Sequence, residues 1–512
     1  MFLVCTALSQ AAALERVPTV WTSGHSGVIS DCTPEDLSQR GGEHERWALV
    51  AAASRAAGYG LYLGSGARGP VFAPPEHGAL VLGPPRSGKT TGIMIPNVLA
   101  ASGSVVAAST KPDVMSSTAA IRRSTGRCTL LDPSGATRSP FGVDVVGWSP
   151  LTSAHNWDAA VLTAESMVGA ARPGTERGDA SHWTERAAAL LACVLHAAAL
   201  DDARVEDVVS AVNRHDADRS TTVLTRNGAD LALDLLTGIR ATDGREQSGI
   251  WSTLSGVLAA YRTEAALACA RAEPLDPAQL LEPGSTLYIV ATSEHQRHAA
   301  PVIAGALRDV RSAAYTKAAA HPPATGQSGT PRSAADGSAA DPPLVLVLDE
   351  LAGIAPLHDL PTLVAEGASQ GVLTLASLQD LSQARARWGA AAEGFLTLFG
   401  AKIVLRGVGD TRTLDALSLL AGEHEELRST TTRPSGLRGR WSATRSVTTD
   451  WRRRLPADAI ANVPAGTAVV YLGTQPGRVT VPAVHAPGRG PWRSEVARAT
   501  RRTREIARPR GS

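Results

Sequence analysis

Nine residues, Gly83-Pro84-Pro85-Arg86-Ser87-Gly88-Lys89-Thr90-Thr91, carry the spacing G-x-x-x-x-G-K-[ST] of a phosphate-binding loop. Glycines at this spacing let backbone N–H groups turn inward around an anion. A helix N-terminus behind them adds partial positive charge. In such a loop Lys89 reaches the β/γ-phosphates and the Thr90 hydroxyl takes a place on Mg²⁺. The flanks agree with this chemistry. Gly78-Ala79-Leu80-Val81-Leu82 reads as a short buried strand leading in, and Thr91-Gly92-Ile93-Met94-Ile95 as the first turns of a helix. A Gly-rich turn matching by chance lacks that strand–loop–helix order.

A second set of residues answers the first. Leu344-Val345-Leu346-Val347-Leu348 is a fully apolar run of the central-strand type, and it ends in Asp349-Glu350. Beside a phosphate loop, Asp349 serves Mg²⁺ through water or Thr90, and Glu350 polarises the attacking water as general base. An acidic pair at a strand end also fits a solvated terminus or a helix cap; the loop in the same chain favours the catalytic reading. The next strand, Val372-Leu373-Thr374-Leu375-Ala376, leads to Ser377-Leu378-Gln379. Gln379 at that tip suits sensing of the γ-phosphate, or opens an exposed helix with Asp380. The candidate site is therefore Gly83 to Thr91 for the nucleotide, with Lys89, Glu350 and Gln379 catalytic and Thr90 and Asp349 on the metal. The expected cofactors are ATP and Mg²⁺.

The elements that must position these residues alternate between strand and helix. Ser104-Val105-Val106-Ala107-Ala108, Cys128-Thr129-Leu130-Leu131, Leu287-Tyr288-Ile289-Val290-Ala291, Lys402-Ile403-Val404-Leu405 and Thr467-Ala468-Val469-Val470-Tyr471 are further strand candidates. The alternation predicts an α/β fold with a mostly parallel sheet. From Trp157 to Ala270 the pattern turns helical: Trp183, Ala187, Leu190, Leu191, Val194, Leu195 and Ala198 share one face. The reading divides the chain into a poorly ordered lead-in (1–45), a nucleotide-binding part (46–155) and an all-α insertion (156–280). A second nucleotide-binding part (281–487) and a basic tail (488–512) follow. Residues 321–343, rich in Pro, Gly, Ser and Ala, form a flexible linker.

Composition narrows the function classes. The 512 residues exceed one small domain. Net charge is +2, so nucleic-acid binding must come from local patches. Eight arginines lie between Arg428 and Arg454, with Trp441 and Trp451 among them and Asp450 the lone acid. They suit phosphate tracking and base stacking, or a solvated hairpin. Lys111, Arg122 and Arg123 fit a channel lining or an exposed helix face. The tail from Arg489 to Arg510 suits DNA or anionic lipid, or hangs free. The five cysteines include no C-x-x-C pair, which argues against a zinc site or disulfide framework. No segment reads as a strong membrane span; Met1 to Leu14 is apolar but too short. The distance from residue 83 to residue 349 disfavours small GTPases and nucleotide kinases, and no LSGGQ-like signature precedes the acidic strand.

Beyond these motifs, several long segments bear a family likeness. They include VLGPPRSGKTTGIMIPNVLA, VVAASTKPDVMSSTAAIRR, HWTERAAALLACVLHAAAL and STLYIVATSEHQRHAAPVIAGALRDV in the first part. LVLVLDELAGIAPLHDLPTLVAEGASQGV, LQDLSQARARWG and AKIVLRGVGDTRTLDALSLLAGE continue it. From about residue 60 to 485 the chain resembles the type IV coupling proteins, the TraG/TraD-type ATPases of conjugative DNA transfer, and most closely their actinobacterial branch. The resemblance implies a RecA-like P-loop motor interrupted by an all-α domain, assembled as a hexameric ring. ATP would bind between subunits and DNA in the channel. The implied partners are DNA, a relaxase or DNA-processing complex, and components of the type IV secretion channel. The implied place is the cytoplasm, with peripheral contact at the inner face of the membrane left open. Alternatives are an FtsK/HerA-like double-stranded DNA pump without a conjugation channel, and a nucleotide-dependent adaptor that recruits protein cargo. Two departures stand out. The chain shows no N-terminal membrane helices, and Glu366-Gly367-Ala368-Ser369-Gln370-Gly371 lacks the arginine that many relatives place there. Arg385, Arg387 and Arg406 remain as candidates for its role.

Overall fold

The computed structural model describes residues 43–66, 69–171, 179–320, 341–355, 357–432 and 444–481. The lead-in before residue 43, most of the linker and the basic tail lie outside the described residues. Twelve strands form one sheet: β1 (Tyr62–Gly66), β2 (Gly69–Phe72), β3 (Ala79–Leu82), β4 (Val105–Ser109), β5 (Cys128–Leu131), β6 (Asp144–Val145), β7 (Thr286–Val290), β8 (Leu344–Leu348), β9 (Val372–Leu378), β10 (Ala401–Leu405), β13 (Thr467–Leu472) and β14 (Gln475–Thr480). A separate antiparallel ribbon pairs β11 (Glu423–Thr432) with β12 (Thr444–Arg453).

The sheet order is β2-β1-β14-β13-β10-β3-β9-β8-β4-β7-β5-β6. Every pairing from β10 through β6 is parallel. The four strands beyond β10 pair antiparallel. One strand, β9, lies between the strand that feeds the phosphate loop and the strand that ends in Asp349. The tips of β3, β9 and β8 therefore stand side by side at one edge, where ligands of open α/β sheets bind.

The continuous apolar runs follow from burial on both faces. Successive side chains point to opposite sides. Leu80, Leu82, Val106, Ala108, Leu346 and Leu348 enter one core, while Ala79, Val81, Val105, Ala107, Val345 and Val347 enter the other. The second core is closed by helices Glu43–Ala56, Ile95–Ala100 and Asp113–Arg122. The first continues into the helices between β6 and β7, beginning with Trp157–Ala171 and Asp179–Leu200. That helical array is thus not closed on itself: it shares a core with the sheet. Arg308 ties the two parts. It is buried, donates to Ala159 O and pairs with Asp309, whose other oxygen accepts from Trp148.

Four strands of the sheet escape the sequence pattern. β1 and β2 are short and glycine-containing, β6 has only two residues, and β14 follows β13 through a tight turn at Gly473 (φ 58°). β1 is held from the side. Asn97, on the helix behind the phosphate loop, accepts from Tyr62 N and donates to Tyr62 O, both at 2.8 Å.

Arg122 corrects the sequence reading. It lines no channel and lies on no exposed face: it is 1% exposed. Its guanidinium donates to Thr286 Oγ1 (2.8 Å) and to the carbonyls of Ala101, Gly103, Gly284 and Ser285. These lie before β4 and β7, at the sheet edge opposite the phosphate loop. Arg123 donates to Phe141 O and stacks over the Phe141 ring, while Lys111 is exposed.

Candidate nucleotide site

The loop from Gly83 to Thr91 leaves the tip of β3 and enters a single π-turn, Thr90–Met94, before the helix Ile95–Ala100. Gly83 N donates to Leu378 O on β9 (3.2 Å), which anchors the loop's first residue to the neighbouring strand. A side chain at Gly83 would meet Ser87 Oγ at 2.5 Å and Leu405 Cβ at 3.0 Å, so it would have to displace both. Gly88 has φ 98°, a left-handed conformation that favours glycine at this position of the loop. Arg86 also takes a left-handed conformation (φ 63°) and is exposed.

Lys89 is 5% exposed. Its amine donates to the loop's own carbonyls, Gly83 O at 2.5 Å and Pro84 O at 3.1 Å, and stands 3.9 Å from Glu350 Oε1. Burial pulls the amine below its ordinary range, while Glu350 and Asp349 act in the opposite direction. Thr90 Oγ1 donates to Asp349 Oδ2 at 2.8 Å across 259 residues of sequence. Asp349 is buried, and its other oxygen accepts from Ser377 Oγ at 3.0 Å. Glu350 has a left-handed backbone (φ 58°), which turns its side chain off the strand direction toward Lys89. The fold thus brings together Lys89, Thr90, Asp349 and Glu350.

Gln379 follows Leu378 directly and stands between the other two tips. Its backbone N–H is capped by Gln383 Oε1 (2.9 Å), while Asp380 caps the next helix, Leu381–Trp388, through Ser382 N. Both sequence readings of Gln379 are compatible with that position.

The residues fit a magnesium nucleoside triphosphate. The Ser87 hydroxyl is buried inside the loop without a hydrogen-bond partner. A buried hydroxyl that lacks a protein partner is a place for a ligand oxygen. Thr90 and Asp349 supply the one or two protein oxygens that Mg²⁺ usually takes alongside phosphate oxygens and water. Among the described residues no cluster of three His, Cys, Asp or Glu competes as a metal site.

The three candidate arginines separate. Arg385 pairs with Asp410 at 2.7 Å, and Arg387 donates to Ala352 O at 2.6 Å. Arg406, at the tip of β10, is exposed. Its neighbour Gly407 (φ 91°) lies against Pro84 of the phosphate loop. In the basic ribbon, Arg452 pairs with Glu426 and Arg453 with Asp415, and Trp451 is exposed. Residues 433–443, including Trp441, lie outside the described residues.

Comparison with known proteins bears on the whole arrangement. Residues 343–465 match the family model described as the TraM recognition site of TraD and TraG. The fold matches TrwBdeltaN70, a bacterial conjugative coupling protein, in its unbound form. The TM-score is 0.62 at 19% identity, covering 87% of this chain and 93% of that one. The chain thus carries the TraD/TraG recognition-site segment over residues 343–465 and shares the fold of a conjugative coupling protein. TrwB in complex with the non-hydrolysable GTP analogue GDPNP matches with TM-score 0.59 at 19% identity, covering 82% of this chain and 90% of that one. TrwB in complex with ADP and Mg²⁺ matches with TM-score 0.57 at 19% identity, covering 82% and 88%. No curated protein is significantly similar in sequence. The coupling-protein fold accounts for the α/β architecture with its interrupting helices. Among the described residues one helix, Ser181–Leu200, is long and apolar enough to cross a bilayer, and Leu190, Leu191, Val194 and Leu195 bury its face within the helical array.

Proposed function

We propose that this chain is a type IV coupling protein, an ATP-hydrolysing DNA translocase that delivers a DNA–protein substrate to a type IV secretion channel. The observation that carries the reading is the joining of Lys89 and Thr90 to Asp349 and Glu350 from opposite ends of the sequence. A nucleotide-binding adaptor has no need of the second carboxylate. Glu350 is 33% exposed, beside a buried metal-binding carboxylate, where a water can reach it.

In this reading Lys89 exchanges its carbonyl partners for phosphate oxygens, and Glu350, released from Lys89, accepts a proton from the attacking water. When bound, Mg²⁺ would supply charge neutralisation to the phosphates. Thr90 and Asp349 would hold it, Gln379 would orient water from the tip of β9, and Ser87 would donate to a phosphate oxygen. Subunits assemble as a homo-oligomeric ring, a hexamer by family likeness, with DNA in the channel. Arg406, exposed beside the phosphate loop, is the favoured source of the missing arginine. Cargo reaches the motor through a relaxase or DNA-processing complex, and the protein works at the inner face of the membrane.

Steady-state ATP hydrolysis across protein concentration, with and without DNA, tests the reading. Hydrolysis should rise with protein concentration and with added DNA. A rate indifferent to single- and double-stranded DNA refutes translocation. Retention of a relaxase on the immobilised protein separates the coupling role from a DNA pump without a channel.

A further inference from the structure

Ser377 is fully buried near the end of β9, and its hydroxyl makes two bonds at once. It donates to Asp349 Oδ1 at 3.0 Å and accepts from Glu350 N at 3.1 Å. A hydroxyl has one proton and two lone pairs, so this pairing fixes its orientation. The bond to Oδ1 fixes the Asp349 carboxylate with Oδ2 toward Thr90, at 2.8 Å. The bond from Glu350 N gives a partner to a backbone donor just past the end of β8. One side chain from the neighbouring strand thereby holds both acidic residues in place. The backbone of β9 continues the link, since Leu378 O accepts from Gly83 N on the other side.

We propose that Ser377 is a positioning residue that preorganises Asp349 for Mg²⁺ and holds the turn that aims Glu350. This rests on the nucleotide reading given above. Ser377 touches neither nucleotide nor metal; it acts through the carboxylate, as outer hydrogen bonds to metal-binding carboxylates do.

The test compares ADP affinity by calorimetry with and without Mg²⁺, in wild type and in Ser377→Ala. In wild type Mg²⁺ tightens ADP binding. In Ser377→Ala the Mg²⁺ concentration giving half the effect rises about 10- to 100-fold, while Mg²⁺-free ADP affinity stays at the wild-type value. Ser377→Cys keeps the shape with a weaker donor and shifts the midpoint in the same direction by less, which serves if the alanine variant does not fold. A Mg²⁺-responsive wild type whose midpoint either folded variant reproduces overturns this inference alone. A wild type blind to Mg²⁺ overturns the nucleotide reading and this inference with it.

Discussion

Arg122 and Lys89 are both buried cations, one at each end of the parallel strands, and their surroundings differ in kind. Arg122 has five neutral oxygens around one guanidinium, from Ala101, Gly103, Gly284, Ser285 and Thr286. Lys89 has two carbonyls of its own loop and a carboxylate at 3.9 Å. The first arrangement staples chain segments far apart in sequence. The second leaves a cation whose present partners can be exchanged for an anion. A buried charge is thus structural or functional according to whether its partners are fixed by the fold or belong to the loop that carries it.

The sharpest way to break the comparison is at the loop end. Glu350→Gln should lower the ATP hydrolysis rate about 10²- to 10⁴-fold, the range for a lost general base, while retaining ATP binding. Lys89→Ala should lose both. Calorimetry alongside a phosphate-release assay distinguishes them; Glu350→Gln with near-wild-type turnover removes Glu350 from the chemistry. At the other end, Arg122→Met should cost stability instead. Several buried carbonyls lose their donor together, at about 1–3 kcal/mol for an unsatisfied buried group, with nucleotide affinity of the folded fraction unchanged. Urea denaturation measures the first and ADP titration the second.

Lys402 extends the comparison to pH. It is buried in β10, donates to Gly473 O at 2.8 Å, and burial lowers its pKa to about 8 from 10.5. Between those values the unfolded chain binds the extra proton, so this group's contribution to stability rises as pH rises from about 8 to 10.5. Below pH 8 both states are protonated and the burial cost is fully present. Lys402→Met should therefore melt above wild type at pH 7, with the gap closing toward pH 10.5; a gap constant with pH means the amine is not what costs stability. The smallest effect concerns the arginines. Arg387→Ala loses one bond to Ala352 O, about 1 kcal/mol, and lowers the melting temperature slightly. Arg406→Ala leaves it unchanged, as thermal melts will show.

Much of the site is readable in residue order because its chemistry is local. The loop spacing, the apolar strand and its Asp349-Glu350 ending each occupy a few adjacent residues. Their union is not local: nothing adjacent to Thr90 announces that its partner lies 259 residues on. Ser377 shows the limit best. A serine in an apolar strand reads as filler until the neighbouring strand supplies the two groups it bridges. Arg122 misleads for the same reason, since four of its five partners are backbone oxygens and carry no side-chain signature. The strands β1, β2 and β14 elude the sequence pattern because antiparallel pairing, not apolar length, defines them, and β6 because it is only two residues long.

The placement of β3 also has a consequence for synthesis. Both of its neighbours, β9 and β10, come later in the chain. Between the end of β3 at Leu82 and the start of β9 at Val372 the ribosome adds roughly 290 residues, about 15–60 s of elongation at about 5–20 residues per second. Throughout that interval the apolar Ala79–Leu82 segment emerges without the strands that will pair with it, and the nascent chain must be kept from pairing with the wrong one.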